Sequence, residues 1–174
     1  MLPPSLRILG IDPGTLRLGY GVIDRLGPAR MSYVECGVIS APARCERAAR
    51  LATIGRGLRE VLLELRPDVV AMEEAFFGKS VQATLALGEA RGVALFVTAE
   101  LGLEVAGYAP ARVKSTVVGQ GRATKEQIAF MICNLLSLRR TPALDAADAL
   151  AIAICHARRS GPTAVLDRRR AALP

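Results

Sequence analysis

Two apolar runs at residues 6–11 and 18–24 flank Asp12-Pro13-Gly14-Thr15 near the start of the chain. Both read as strands, the first of them buried, and Pro and Gly stand where a type II turn wants them. A second turn at Gly27-Pro28 and a third run at residues 31–39 extend the pair to an antiparallel meander. Helical spacing then takes over. Leu51, Ile54, Leu58, Leu62 and Leu65 recur along residues 46–65, with Arg47, Arg50, Arg56, Arg59 and Glu60 at the other positions, and Pro67 closes the segment. Residues 68–73 (DVVAME) predict a short buried strand. Residues 80–101 predict a helix apolar on more than one side, and residues 103–108 a fifth strand. Pro110 opens a short helix as a proline at the first helical position can. After the Gly119-Gln120-Gly121 break, Thr124 and Gln127 have capping-box spacing for a helix to about residue 136, and a final helix runs from Asp145 to about Arg159.

A meander followed by helix-connected strands predicts an α/β fold: a five-stranded mixed sheet with helices on both faces. Right-handed crossovers place the fourth strand parallel to the first and beside it. At 174 residues, with no repeat and no linker-like stretch, the chain is expected to form one domain through residue 157. A basic tail, residues 158–174, is expected to be disordered.

Composition narrows the function classes. Apolar residues make up 51% and aromatics only 4%, so Leu, Ile, Val and Ala must fill the core. Apolar runs are too short to span a bilayer, and the N-terminus has no signal-peptide pattern, which predicts a cytoplasmic protein. Cys36, Cys45, Cys133 and Cys155 are scattered, as in a reduced chain. The one histidine, His156, leaves no zinc site of the usual type. The net charge is +7, but the tail supplies +4 of it through five arginines against Asp167. A mildly basic body with a basic end suits a nucleic-acid partner, and suits an ordinary solvated surface as well.

Four acids in apolar surroundings are the candidate chemistry. Asp12 follows Ile8 and Gly10 on one strand face, Glu73 follows Val69 and Ala71 on another, and Asp145 and Asp148 share one helix face. With the two strands adjacent, Asp12 and Glu73 both reach the carboxyl edge of the sheet, where open α/β folds bind ligands. Four carboxylates together repel one another and require cations. An all-oxygen set selects Mg²⁺ or Mn²⁺, and two such ions suit phosphodiester hydrolysis. Plainer readings stand beside this one: Asp12 as a turn residue, and Asp145 and Asp148 as first-turn acids complementing a helix dipole. Glu74 points to the opposite face from Glu73 and is the weaker candidate.

The segments LGIDPGTLRLGYGVI, EEAFFGKS, LGEARGVALF, VKSTVVGQGRATKEQ and DAADALAIAICHA, in that order, resemble the RuvC-type Holliday junction resolvases over residues 7–157. The resemblance implies a ribonuclease H-like fold. It also implies a homodimeric, Mg²⁺-dependent endonuclease that resolves four-way DNA junctions by paired symmetric nicks in recombination and repair. On the family's motifs Asp12, Glu73, Asp145 and Asp148 are the metal-binding catalytic acids, and a branch-migration complex of the RuvA and RuvB kind is the partner. Alternatives of the same fold are a non-catalytic junction-binding protein and an RNA-processing nuclease.

Supporting residues follow. Phe76 and Phe77 come just after the strand-end acids; they either fold back on the core or, as the resemblance suggests for Phe76, wedge against bases. Lys79, Lys114 and Lys125, with Arg122, are expected to line the phosphate path. Gly88 and Gly92 leave a flat stripe beside Leu85 and Phe96, and the resemblance makes that stripe the dimer interface.

Overall fold

The computed structural model describes residues 5–27, 30–74, 80–119 and 123–159. Five strands, β1 (Leu6–Asp12), β2 (Arg17–Arg25), β3 (Met31–Ser40), β4 (Val69–Glu73) and β5 (Val105–Tyr108), form one sheet in the order β3-β2-β1-β4-β5. The first three are antiparallel neighbours, whereas β1–β4 and β4–β5 are parallel. The parallel steps pass through α1 (Arg47–Leu65) and α2 (Val81–Glu100), and α3 (Pro110–Val118), α4 (Lys125–Leu136) and α5 (Leu144–Arg159) follow. The mixed sheet, and β4 beside β1, agree with expectation.

Strand alternation builds two cores. Leu9, Ile11, Leu18, Val22, Val70 and Met72 face Ile54, Leu58 and Leu62 of α1 and Ala94 and Val97 of α2. Ile8, Ile23, Val69 and Ala71 face the other way, onto Val113 and Val117 of α3, Ile128 and Ile132 of α4, and the apolar side of α5. Full burial of each such side chain contributes about 1.5–3 kcal/mol, which makes a one-residue slip of register prohibitive.

Local signals end the helices as they should. Thr124 accepts from the Gln127 amide while the Gln127 side chain accepts from Thr124, closing the expected capping box. Ser80 caps α2, Pro110 starts α3, and α1 ends on Arg66 in the left-handed region, directly before Pro67. In α1 the inward face is Ile54, Gly55, Leu58 and Leu62, while Leu51 and Leu65 at its flanks are only half-buried.

One turn differs from expectation. A type II turn requires a positive φ at Gly14, but among the described residues only Gly102 and Gly119 are glycines of that kind. Gly14 is instead needed for space, because a Cβ there would run into the Arg17 carbonyl.

Helix α5 sits unusually close to the sheet. Gly10 pairs with Gly21, and Asp12 with Gly19, so these four share the face beneath α5. A methyl on Gly10 would strike the Ala149 carbonyl, one on Gly19 the Asp145 carbonyl, and one on Gly21 the Leu150 side chain. Glycines on the strands and alanines at 146, 147, 149, 151 and 153 on the helix let the two backbones meet. The final helix is thereby pinned to the strand that carries Asp12. It extends through Arg159, two residues into the expected tail, and the rest of that tail lies outside the described residues.

Candidate active site

Asp12 is the last residue of β1 and Glu73 the last of β4. Strand parity puts both on the α5 side of the sheet, since Asp12 follows Ile8 and Glu73 follows Val69 and Ala71 at even spacing. From above, α5 lowers Asp145 and Asp148 toward the same edge. Asp12, Glu73 and Asp148 line a pocket of about 250 Å³ with Lys114 of α3 and Lys125 of α4. Pro110, Val113, Ile128, Ala151 and Ile152 supply its apolar wall. Five separate stretches of chain thus bring three acids and two lysines to one place.

The electrostatics record that crowding. Asp12 is pushed up to about 7, first by burial, then by the charges of Asp148, Glu73 and Asp145, with Lys125 opposing. Glu73 is raised by burial and by Asp148, against the pull of Lys114 and Lys125. Lys125 is raised by its hydrogen bond to Asp148, 3.0 Å from Nζ to Oδ2, and by the fields of Asp12 and Asp145. The Lys125 ammonium is therefore a cation held among the carboxylates. There it meets the Asp148 carboxylate.

Asp145 is held differently. Its Oδ2 lies 2.7 Å from Nε of Arg17, the first residue of β2, and Asp145 is not among the residues that line the pocket. Among the described residues, no three Asp, Glu, His or Cys side chains close on one point that could hold a metal ion. The oxygen cage expected from the sequence is thus gathered but not closed. Mutually repelling carboxylates pair with the nearest cations, Asp145 with Arg17 and Asp148 with Lys125. The donor set still fits a hard divalent cation, being all carboxylate oxygen, partly buried and short of positive charge.

Sequence reasoning missed Arg17, though strand parity carried the signal. Arg17 lies two residues before Gly19, the partner of Asp12, and so shares the face of Asp12. It also missed Arg91, whose Nε donates to the Glu73 carbonyl at 3.3 Å and so fixes the end of β4. Glu74 is not in the pocket; its carboxylate lies against Gly107 of β5, in keeping with its lower standing. Phe76, Phe77, Lys79 and Arg122 lie outside the described residues. Leu85, Gly88, Gly92 and Phe96 do not line the pocket and lie together on one side of α2. Leu85 and Phe96 are 60% and 63% exposed, and a Cβ on either glycine would meet nothing within 4 Å.

The remaining sites are consistent with the composition. All four cysteines are free, and His156 accepts or donates a 2.8 Å hydrogen bond with the Tyr108 hydroxyl. No described helix is long and apolar enough to cross a membrane.

Comparison with known proteins places this geometry. The family model described as "Crossover junction endodeoxyribonuclease RuvC" matches residues 8–156. A protein of that name from Azorhizobium caulinodans is 51% identical over 168 residues, 97% of each chain. One from Bordetella avium is 51% identical over 157 residues, 90% of this chain and 86% of its own. Among solved structures, Thermus thermophilus RuvC in complex with Holliday junction substrate superimposes with a TM-score of 0.81 at 35% identity, covering 87% of this chain and 93% of its own. The yeast mitochondrial Holliday junction resolvase Ydc2 shares the fold, with a TM-score of 0.64 at 14% identity over 98% of this chain and 86% of its own.

Proposed function

Because the chain belongs to the RuvC family of crossover junction endodeoxyribonucleases, we propose that its acidic pocket hydrolyses phosphodiester bonds in the strands of four-way DNA junctions. The observation that carries the assignment to this pocket is the meeting of Asp12, Glu73 and Asp148, from three separate elements, with Lys114 and Lys125 around them.

Asp12, Glu73, Asp145 and Asp148 would hold Mg²⁺ or Mn²⁺, two ions per subunit. Such ions, when bound, lower the pKa of water and neutralise charge developing on the phosphodiester. The chain's own residues do the rest. Lys114 and Lys125 set positive charge at the rim, where the scissile phosphate must lie, and act as electrostatic clamps on its non-bridging oxygens. The apolar wall of Pro110, Val113 and Ile128 limits bulk water and strengthens each charge interaction within. Ionised Asp12 is costly until a cation arrives, so the site favours ligand-bound over empty. DNA contact is proposed as well for Phe76, Phe77, Lys79 and Arg122, which lie outside the described residues.

A second copy covers α2. Val81, Leu85 and Phe96 stand exposed along a stripe that Gly88 and Gly92 leave flat, a surface suited to a two-fold helix contact. Two pockets related by such an axis account for paired symmetric nicks. The protein acts in the cytoplasm beside a branch-migration complex of the RuvA and RuvB kind.

The test is cleavage of a four-way junction against a matched linear duplex, by wild type and Asp148→Asn, with Mg²⁺ and with chelator. Nicking is expected only on the junction, only with Mg²⁺, and at least about a hundredfold slower in the variant, as for loss of one stabilising group at a transition state. Cleavage that survives the chelator, or is undiminished in the variant, refutes the mechanism.

A further inference from the structure

Arg17 begins β2 with its backbone paired to Ser40, and the Leu16 carbonyl before it accepts from the Ala41 amide at 2.9 Å. Its main chain is therefore fixed, while its side chain is 57% exposed and reaches Asp145, itself 30% exposed. The Asp145 main chain is fixed as well, with its carbonyl packed on Gly19. Only the two side chains are left to move. Asp145 lies close enough to raise Asp12 by its charge, yet it is tied to Arg17 and does not line the pocket.

From this we propose that Arg17 is a positioning residue, a latch that holds Asp145 out of the acidic pocket until a DNA phosphate draws the guanidinium away. The proposal rests on the metal-binding reading of the pocket given above. Two effects point the same way. The guanidinium competes with a metal ion for the Asp145 carboxylate, and its charge repels any cation arriving nearby. A phosphodiester is a strong rival for it, because planar guanidinium pairs well with phosphate oxygens and the Arg17 side chain is exposed. DNA and metal binding are thereby coupled through one side chain, with full closure of the acids deferred until substrate is present.

The test uses full-length protein without DNA and reads Mn²⁺ affinity by titration calorimetry. Exposed ion pairs are weak, so the expected change is modest: Arg17→Ala binds Mn²⁺ about two- to fivefold more tightly than wild type. Arg17→Lys, which keeps a cation, is expected to stay near wild type. In chelator, junction binding by Arg17→Ala should show a salt slope shallower by about 0.9, the loss of one phosphate contact. Weaker Mn²⁺ binding in Arg17→Ala would mean that Arg17 orients Asp145 toward the metal, and an unchanged affinity or salt slope would mean no coupling; each overturns the latch. Asp12→Asn separates the underlying reading. If that variant binds Mn²⁺ as wild type does, the pocket is not the metal site, and the latch falls with it whatever Arg17→Ala shows.

Discussion

Burial and the charges of Asp148, Glu73 and Asp145 push Asp12 up to about 7. The unfolded chain releases the Asp12 proton at about pH 4. Between those values the folded state binds more protons than the unfolded one, so stability falls as pH rises through the window. Glu73, also raised, adds in the same direction. In chelator, the melting temperature is therefore expected to decline from about pH 4 to 7. Asp12→Asn should flatten the decline and stabilise the metal-free protein at pH 8 by roughly 1–3 kcal/mol, while abolishing cleavage. A variant that melts lower than wild type at pH 8 would contradict this account. Asp12 and Glu73 were legible as candidates because each ends an apolar strand, although Asp12 also reads as an ordinary turn residue. Arg17 was not, because a lone arginine after a turn looks like any solvated charge until its partner is known.

Among elements, α5 carries two of the four acids. Its position depends on glycines in β1 and β2 whose purpose the sequence alone does not reveal. Once Gly10, Gly19 and Gly21 are seen facing the Asp145, Ala149 and Leu150 region, the alanine run from 146 to 153 has its reason. Gly10→Ala would drive a methyl into the Ala149 carbonyl, which has no rotamer to escape by. Urea denaturation is expected to show a loss of about 3 kcal/mol or more, from overpacking against backbone. A loss below 0.5 kcal/mol would mean that α5 is not held in place by this contact. The helix ends show the opposite case. The capping box at Thr124 and the proline at 110 act within one turn of chain, so a single sequence reveals them. The turn at Gly14 failed that test because steric room, and not φ, decided its residue.

For the whole molecule, the open face of α2 sets the oligomeric expectation. A monomer leaves Val81, Leu85 and Phe96 in water, and a symmetric pair removes both copies of that stripe at once. Phe96→Asp is expected to shift sedimentation toward monomer at micromolar concentration. It should also convert paired nicks into single ones, with each active site chemically intact. A variant still dimeric, or still cutting both strands in concert, would place the interface elsewhere.

Periodicity and local chemistry were enough to determine the strand and helix order, the mixed sheet, the helix caps and the four candidate acids, because each depends on neighbours within a turn or on strand parity. Only the tertiary structure decided which charges meet. Arg17 reaches Asp145 across 128 positions of sequence and Lys125 reaches Asp148 across another bend of the chain. Such pairings depend on how closely α5 settles on the sheet, a distance set by the absence of side chains at Gly10, Gly19 and Gly21 and invisible until both surfaces are in place.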